Sequence, residues 1–386
     1  MDSSSAPAGL RSPQRYLPQL ESLRGWAIIL VVSFHYVGIL GTGGRYSLEG
    51  SPFWLQIMAA GNTGVTLFFV LSGFLLVQPF VSAAGSGERV DVAKFYLARI
   101  LRVVPLYYLA ILIAWLATGN TATFKALLFI PIGFEVFPFS VPWWSLCTEL
   151  QFYIVLPWIM LGLRCRAGRW LVAVGGVSWL TLHVYFFLQP QWLVDQRSDW
   201  IQSSVFGRGP AFLVGGLCGW LYLRQGCSWL FDYPRRQALL AAVLLAALLW
   251  LMRWYGMMGQ KSALMAMPLY HDLEALLWGG LLLCSLGLAN RVKGLFFNPL
   301  LSHFGSISYS LYLVHVPVQF YLLYPLVAST DGAVPTLQAL AAVAGSFLVS
   351  WAVALLCYRF IEQPFLKLKA HLAVFSDRFR EHPARA

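Results

Sequence analysis

Ten stretches of about twenty mostly apolar residues recur along this chain, and nothing limits its folding more. Roughly, they cover residues 22–40, 61–81, 96–117, 143–162, 170–189, 205–223, 238–255, 268–289, 304–327 and 337–360. A helix of that length crosses the hydrocarbon core of a bilayer. The chain is 59% hydrophobic and 11% charged, against about 25% charged in soluble domains. The pattern predicts an all-α polytopic transmembrane bundle of about ten spans and excludes a soluble globular fold. Strand alternation of the outer-membrane-barrel kind is absent. The segment 124–142 is apolar but broken by Pro131, Pro138 and Pro142, which suits a re-entrant or interfacial loop. No internal repeat is evident.

Charge sets the expected orientation. With the N-terminus inside, one side receives Arg11, Arg15, Arg89, Lys94, Arg164, Arg166, Arg169, Arg224, Arg235, Arg236, Arg291, Lys293 and the basic tail. The other keeps Arg45, Lys125, Arg197, Arg208, Arg253 and Lys261. The positive-inside rule then predicts that both termini are cytoplasmic. The net charge of +11 belongs to this asymmetry and is no sign of nucleic-acid binding. Residues 1–16 read as a short cytoplasmic tail, 17–366 as the transmembrane domain and 367–386 as a basic tail on the inner leaflet. The first span is expected to remain uncleaved. Six cysteines, none in a C-x-x-C pair, read as packing residues, and no metal site is expected.

Against this apolar background, a few ionisable residues stand out. Charge at membrane depth costs roughly 2.5–3.5 kcal/mol on insertion scales, so such residues mark substrate or proton paths. Arg24 and His35 lie on the first span. His35 can exchange a proton near neutral pH. Counting helical rise places His35 at roughly 8 Å and Glu149 at roughly 9 Å from the outer surface. A carboxylate at that depth could pair with the imidazole and support its cation; the alternative is that Glu149 caps a loop or holds Arg and Trp side chains. Arg99 and Arg102, at i and i+3, share a helix face. Guanidinium groups there suit a phosphorylated ligand reaching in from the cytosol, or simply anchor the span. Tyr312 and His315 share a face of the ninth span, where His315 suits a structural hydrogen bond near Pro317. His271, Asp272 and Glu274 cluster at the outer start of the eighth span, either against a substrate or as interfacial anchors.

Six segments, in order, resemble the acyltransferase-3 family of integral membrane acyltransferases. Leu20-Glu-Ser-Leu-Arg-Gly-Trp-Ala27 with His35 resembles its L-D-G-L-R-G-x-A…H opening, with Glu21 for the usual Asp and Ser22 for the usual Gly. Gly64-Val-Thr-Leu-Phe-Phe-Val-Leu-Ser-Gly-Phe74, Phe95-Tyr-Leu-Ala-Arg-Ile-Leu-Arg102 and Trp144-Ser-Leu-Cys-Thr-Glu149 with Gln151-Phe-Tyr153 follow. Ser308-Tyr-Ser-Leu-Tyr-Leu-Val-His315 and Ile361-Glu-Gln-Pro364 complete the set. The resemblance covers about residues 17–366.

It implies an inner-membrane O-acyltransferase that moves an acyl group, usually acetyl, from cytoplasmic acyl-CoA to a hydroxyl of a carbohydrate, glycolipid or related acceptor. In that reading Arg99 and Arg102 hold CoA phosphates, and His35 is general base or transient acyl carrier. Glu149 orients His35, and Arg24 stabilises the cofactor or the oxyanion. Tyr312, His315, His271 and Asp272 are candidates for substrate contact. A transporter or flippase built on the same intramembrane ionisable residues is the rival class.

Overall fold

The computed structural model describes residues 17–41, 48, 50–189, 199–226, 233–287, 294–329 and 336–368. The expected tail at 1–16, all of the expected tail 367–386 beyond residue 368, Arg45, Arg197, Arg291, Lys293 and Cys227 lie outside the described residues. The described residues are almost entirely helical, with no strand among them.

Among the described residues, ten long helices carry the fold. They are α1 (Pro18–Leu40), α2 (Thr63–Ser86), α3 (Val92–Thr118), α4 (Trp143–Gly162), α5 (Arg166–Phe187), α6 (Val205–Leu223), α7 (Pro234–Met258), α8 (Tyr270–Gly287), α9 (Ser308–Ser329) and α10 (Thr336–Cys357). Each coincides with one of the ten apolar stretches. Eight of these regions are long and apolar enough to cross a membrane; α6 and α8, with 19 and 18 residues, fall outside that set. A helix satisfies its own backbone polar groups, which lipid cannot do, so a long apolar segment has little alternative.

Local signals set the helix ends. Pro18 opens α1, where its missing N–H costs nothing. Asp91 caps α3 by accepting from the Lys94 amide at 3.1 Å. Ser204 caps α6 and accepts from the Phe206 amide at 3.2 Å. The helix α3 stops at Gly119, whose φ of 65° suits a residue without a side chain. Segment 127–142 does not form a span. It folds into turns, with Ile132, Val136 and Ser140 buried.

The helix α2 is the centre of the bundle. Its apolar window is 72% buried, against 11% for α5, which presents Trp170, Leu171 and Val174 outward. The closest packing joins α2 to α6. A Cβ on Gly73 would strike the carbonyl oxygen of Phe212, and one on Gly215 would strike that of Val70. Between membrane helices there is little hydrophobic drive, so close backbone contact through small residues supplies the cohesion. Phe69 and Phe152 stack on Phe212, with ring centroids 4.6 and 4.2 Å away, and tie α4 to the same seam. A short helix, Pro299–Ser306, packs across α1, where Ser22 and Ser302 hydroxyls bond at 2.9 Å. Of the cysteines, Cys147, Cys218 and Cys284 are buried thiols, as packing residues should be; Cys165 is exposed and accepts from the Gly168 amide at the start of α5.

Candidate active site

Three arginines from two helices meet around one cavity. Arg24 of α1 and Arg99 and Arg102 of α3 line a space of about 100 Å³, together with Ser72, Ser145, Glu149, Tyr153, Ser308, Tyr309 and Tyr312. Arg24 is held in place: its Nη2 donates to Ser308 Oγ at 3.1 Å, and Nη1 lies 4.0 Å from Glu21. The Arg99 guanidinium sits 5.9 Å from the ring centres of both Phe95 and Tyr153, and its buried Nε has no hydrogen-bond partner. Among the lining residues described, three guanidiniums face a single carboxylate, Glu149. Glu362 stands nearby, bonded by Ser310 at 2.9 Å, and acts electrostatically on Arg102.

Glu149 does not meet His35. Its partner is the hydroxyl of Ser72, which donates at 2.6 Å, and it lies level with the arginines. The depth count assumed that α4 begins at the surface. Trp143, its first residue, is instead 2% exposed and packs on Tyr107, which in turn stacks on Phe129 of the folded-back segment. The helix therefore starts inside the protein, covered by the folded-back segment, and a depth counted from an exposed first residue does not hold for it.

His35 pairs with a second histidine. His315 of α9 brings its Nε2 to 3.2 Å from His35 Nδ1. His315 Nδ1 lies 3.0 and 2.8 Å from the carbonyl oxygens of Leu311 and Tyr312, and His35 Nδ1 lies 2.9 Å from that of Val31. Carbonyls only accept, so both Nδ1 atoms carry hydrogen. His315 Nε2 then holds a lone pair toward the His35 Nδ1–H. One turn on, Gln319 donates to the Val32 carbonyl at 3.2 Å and fixes the register of α1 on α9. His35 is not among the cavity's lining residues. Tyr312 connects the two places: it lines the cavity, bonds Ser145 at 2.6 Å, and sets its ring 5.9 Å from that of His315.

The remaining candidates lie elsewhere. His271 and Asp272, at the start of α8, turn inward and pair within the protein. His271 Nδ1 is 3.1 Å from Glu274, which also accepts from Thr66 at 2.6 Å and is fully buried. Asp272 meets His183 of α5 at 3.2 Å. Arg208, counted among outer loop charges, lies in the first turn of α6 with its guanidinium 5.4 Å from the Trp144 ring centre. His183 drew no attention in the sequence, because a lone His in an apolar run carries no pattern, and Ser72 stood inside the Gly64–Phe74 motif without a role of its own. Among the described residues, no group of three or more His, Cys, Asp or Glu is placed to hold a metal ion.

The helical architecture and the charged cavity agree with the comparisons with known proteins. The family model described as an acyltransferase domain, acyltransferase-3, matches residues 17–355. The chain belongs to this family of membrane acyltransferases. Among curated proteins, it is 28% identical over 178 residues to YrhL of Bacillus subtilis, named a candidate peptidoglycan O-acetyltransferase, covering 40% of this chain and 25% of that protein. It is 29% identical over 201 residues to ORF330 of Acidianus two-tailed virus, named a candidate acetyltransferase, covering 47% and 55%. It is 26% identical over 178 residues to the O-acetyltransferase OatA of Staphylococcus aureus, covering 39% and 26%. The matches thus span about a quarter to a half of these relatives' lengths. No solved structure matches the chain.

Proposed function

We propose that the protein is an inner-membrane O-acyltransferase with ten spans and both termini in the cytoplasm. It takes an acyl group, acetyl in the simplest case, from cytoplasmic acyl-CoA and transfers it to a hydroxyl of a carbohydrate or related acceptor at the outer side. The observation that carries this reading is the convergence of three arginines on one cavity, with Glu149 the one carboxylate among its lining residues. Cations at membrane depth call for an anion, and planar guanidiniums match phosphate oxygens in pairs. A CoA phosphate held by Arg99 and Arg102 would leave the pantetheine arm to run along the cavity past Glu149 toward Tyr312. Arg24 would stabilise the donor or the oxyanion of the tetrahedral intermediate. His35 would act as general base on the acceptor hydroxyl, a role worth about 10²–10⁴-fold in rate. The name of the Bacillus subtilis relative, YrhL, suggests peptidoglycan as acceptor. Tyr312 and His315 would form the wall between donor and acceptor, with His271 and Asp272 shaping the outer approach from behind it.

The test is a sealed one. Acetyl-CoA is enclosed in proteoliposomes carrying the protein in one orientation, and a soluble muropeptide is added outside. Acetyl groups should appear on the muropeptide when the N-terminus faces the lumen, and the opposite orientation should be inactive. Folded His35→Ala protein should show at most about a hundredth of the wild-type rate. Equal transfer from both orientations would break the sidedness, and wild-type turnover by His35→Ala would remove the base.

A further inference from the structure

We infer that His315 is the positioning partner of His35, so that the base is a histidine pair with His35 Nε2 as its reactive atom. The inference rests on the acyl-transfer reading above, and it adds a role for a residue on the opposite helix. The argument is one of tautomers. A neutral imidazole has one N–H and one lone pair, and the hydrogen bond made by one nitrogen decides the state of the other. His315 Nδ1 faces two carbonyl oxygens, at 3.0 and 2.8 Å, so it must be the protonated nitrogen. Its Nε2 is then an acceptor, 3.2 Å from His35 Nδ1. His35 Nδ1 also faces the Val31 carbonyl at 2.9 Å. Two acceptors therefore hold the same hydrogen on His35 Nδ1, and the lone pair of His35 falls on Nε2. That atom has no hydrogen-bond partner among the described residues.

The pairing also prepares the site for charge. No carboxylate bonds to either imidazole among the described residues. In a Ser-His-Asp arrangement a carboxylate orients the ring and supports the imidazolium. Here a neutral imidazole does so, itself anchored by two backbone dipoles. The rings meet edge to face, with centroids 4.9 Å apart and planes at 72°, which leaves the His35 ring little freedom to flip. In the transfer step the acceptor O–H proton passes to His35 Nε2 as the oxygen forms its bond to the acyl carbon. The C–S bond of the thioester then breaks, and the same proton leaves Nε2 for the thiolate, restoring the neutral pair. His315 holds the Nδ1–H throughout and shares the charge while it exists. A neutral partner suits this depth, since a carboxylate would place an unpaired buried charge beside the neutral imidazole of the resting enzyme.

Two measurements on the full-length protein in nanodiscs test the pair. The first is the ring ¹⁵N NMR spectrum of ¹⁵N-histidine protein, assigned with His35→Gln and recorded where the rings are neutral. It should show His35 protonated at Nδ1 and bare at Nε2, and it needs neither donor nor turnover. A proton on His35 Nε2 would overturn the inference. The second is acetyl-CoA cleavage in the presence of muropeptide. His315→Phe should lower kcat by about a hundredfold while changing KM for acetyl-CoA by less than about twofold. His315→Gln offers an amide oxygen near the position of Nε2, and it should recover at least about tenfold of that loss. Unchanged kcat in His315→Phe, or a glutamine variant no better than phenylalanine, would overturn the role. Should wild-type protein cleave no acetyl-CoA, the acyl-transfer reading falls, while the NMR spectrum still decides the tautomer.

Discussion

Two groups of charged residues lie inside this bundle, and they are built on opposite terms. Around the cavity, Arg24, Arg99 and Arg102 outnumber Glu149, and the Arg99 Nε is buried without a partner. At the start of α8, charge is largely matched: Glu274 meets His271 and Thr66, and Asp272 meets His183. The first group opens onto a cavity and leaves a guanidinium nitrogen without a partner, with Glu21 and Glu362 standing behind its arginines. The second is knitted into the packing between α2, α5, α6 and α8, with Trp278 bonded to Thr63 at 2.8 Å beside it. Buried charge by itself thus says little. What separates a ligand site from a structural one is whether the charged groups open onto a cavity or close on each other.

Substitutions can break that distinction, and the largest effect falls in the matched group. Glu274→Ala removes the acceptor shared by Thr66 and His271 and the carboxylate that acts most strongly on Arg208. Loss of about 3–5 kcal/mol is expected, read as a marked fall in the thermal midpoint of the purified protein, with acyl-CoA affinity unchanged in whatever remains folded. An unaltered midpoint would place the α8 cluster with the ligand sites instead. The double variant Arg99→Ala with Arg102→Ala should do the reverse. Charge-assisted contacts are worth about 1.5–3 kcal/mol each, so acetyl-CoA binding by calorimetry should weaken by at least about a hundredfold while the midpoint holds or rises. Lysine at both positions restores the charge but not the fork, and its affinity should fall between the two. Intact CoA affinity in the double alanine variant would reduce the pair to anchors. The smallest change is Tyr312→Phe, which removes only the bond to Ser145. About 1 kcal/mol is at stake, and a modest fall in kcat is expected with donor KM preserved.

The helices were legible in the sequence because each long one carries enough apolar residues to settle its own state, and the prolines at 131, 138 and 142 correctly broke the run between α3 and α4. The arginine pair was legible too, since i and i+3 spacing fixes a shared face. Arg24 joined it only through the parallel packing of α1 against α9, a contact across 284 residues between Arg24 and Ser308. Glu149 was misplaced for a definite reason: helical rise measures depth only from a known surface, and α4 starts beneath a folded segment. The histidine pair was hidden for the same kind of reason. Tyr312 and His315 could be put on one face, but no periodicity reveals which helix that face meets. His271 and Asp272 were read from their position at a helix start, whereas the inward turn of their side chains depends on α5 and α2.

The glycine contact between α2 and α6 has a consequence beyond cohesion. Ser72, whose hydroxyl holds Glu149, is the immediate neighbour of Gly73. Because bare backbones touch there, the spacing of the two helices is set by hard atomic radii and not by adaptable side chains. The seam works as a gauge block: one added methyl group at Gly73 would push α2 off its stop and carry Ser72 with it. A residue that touches no substrate would then alter the hydroxyl bond that aims a carboxylate in the cavity.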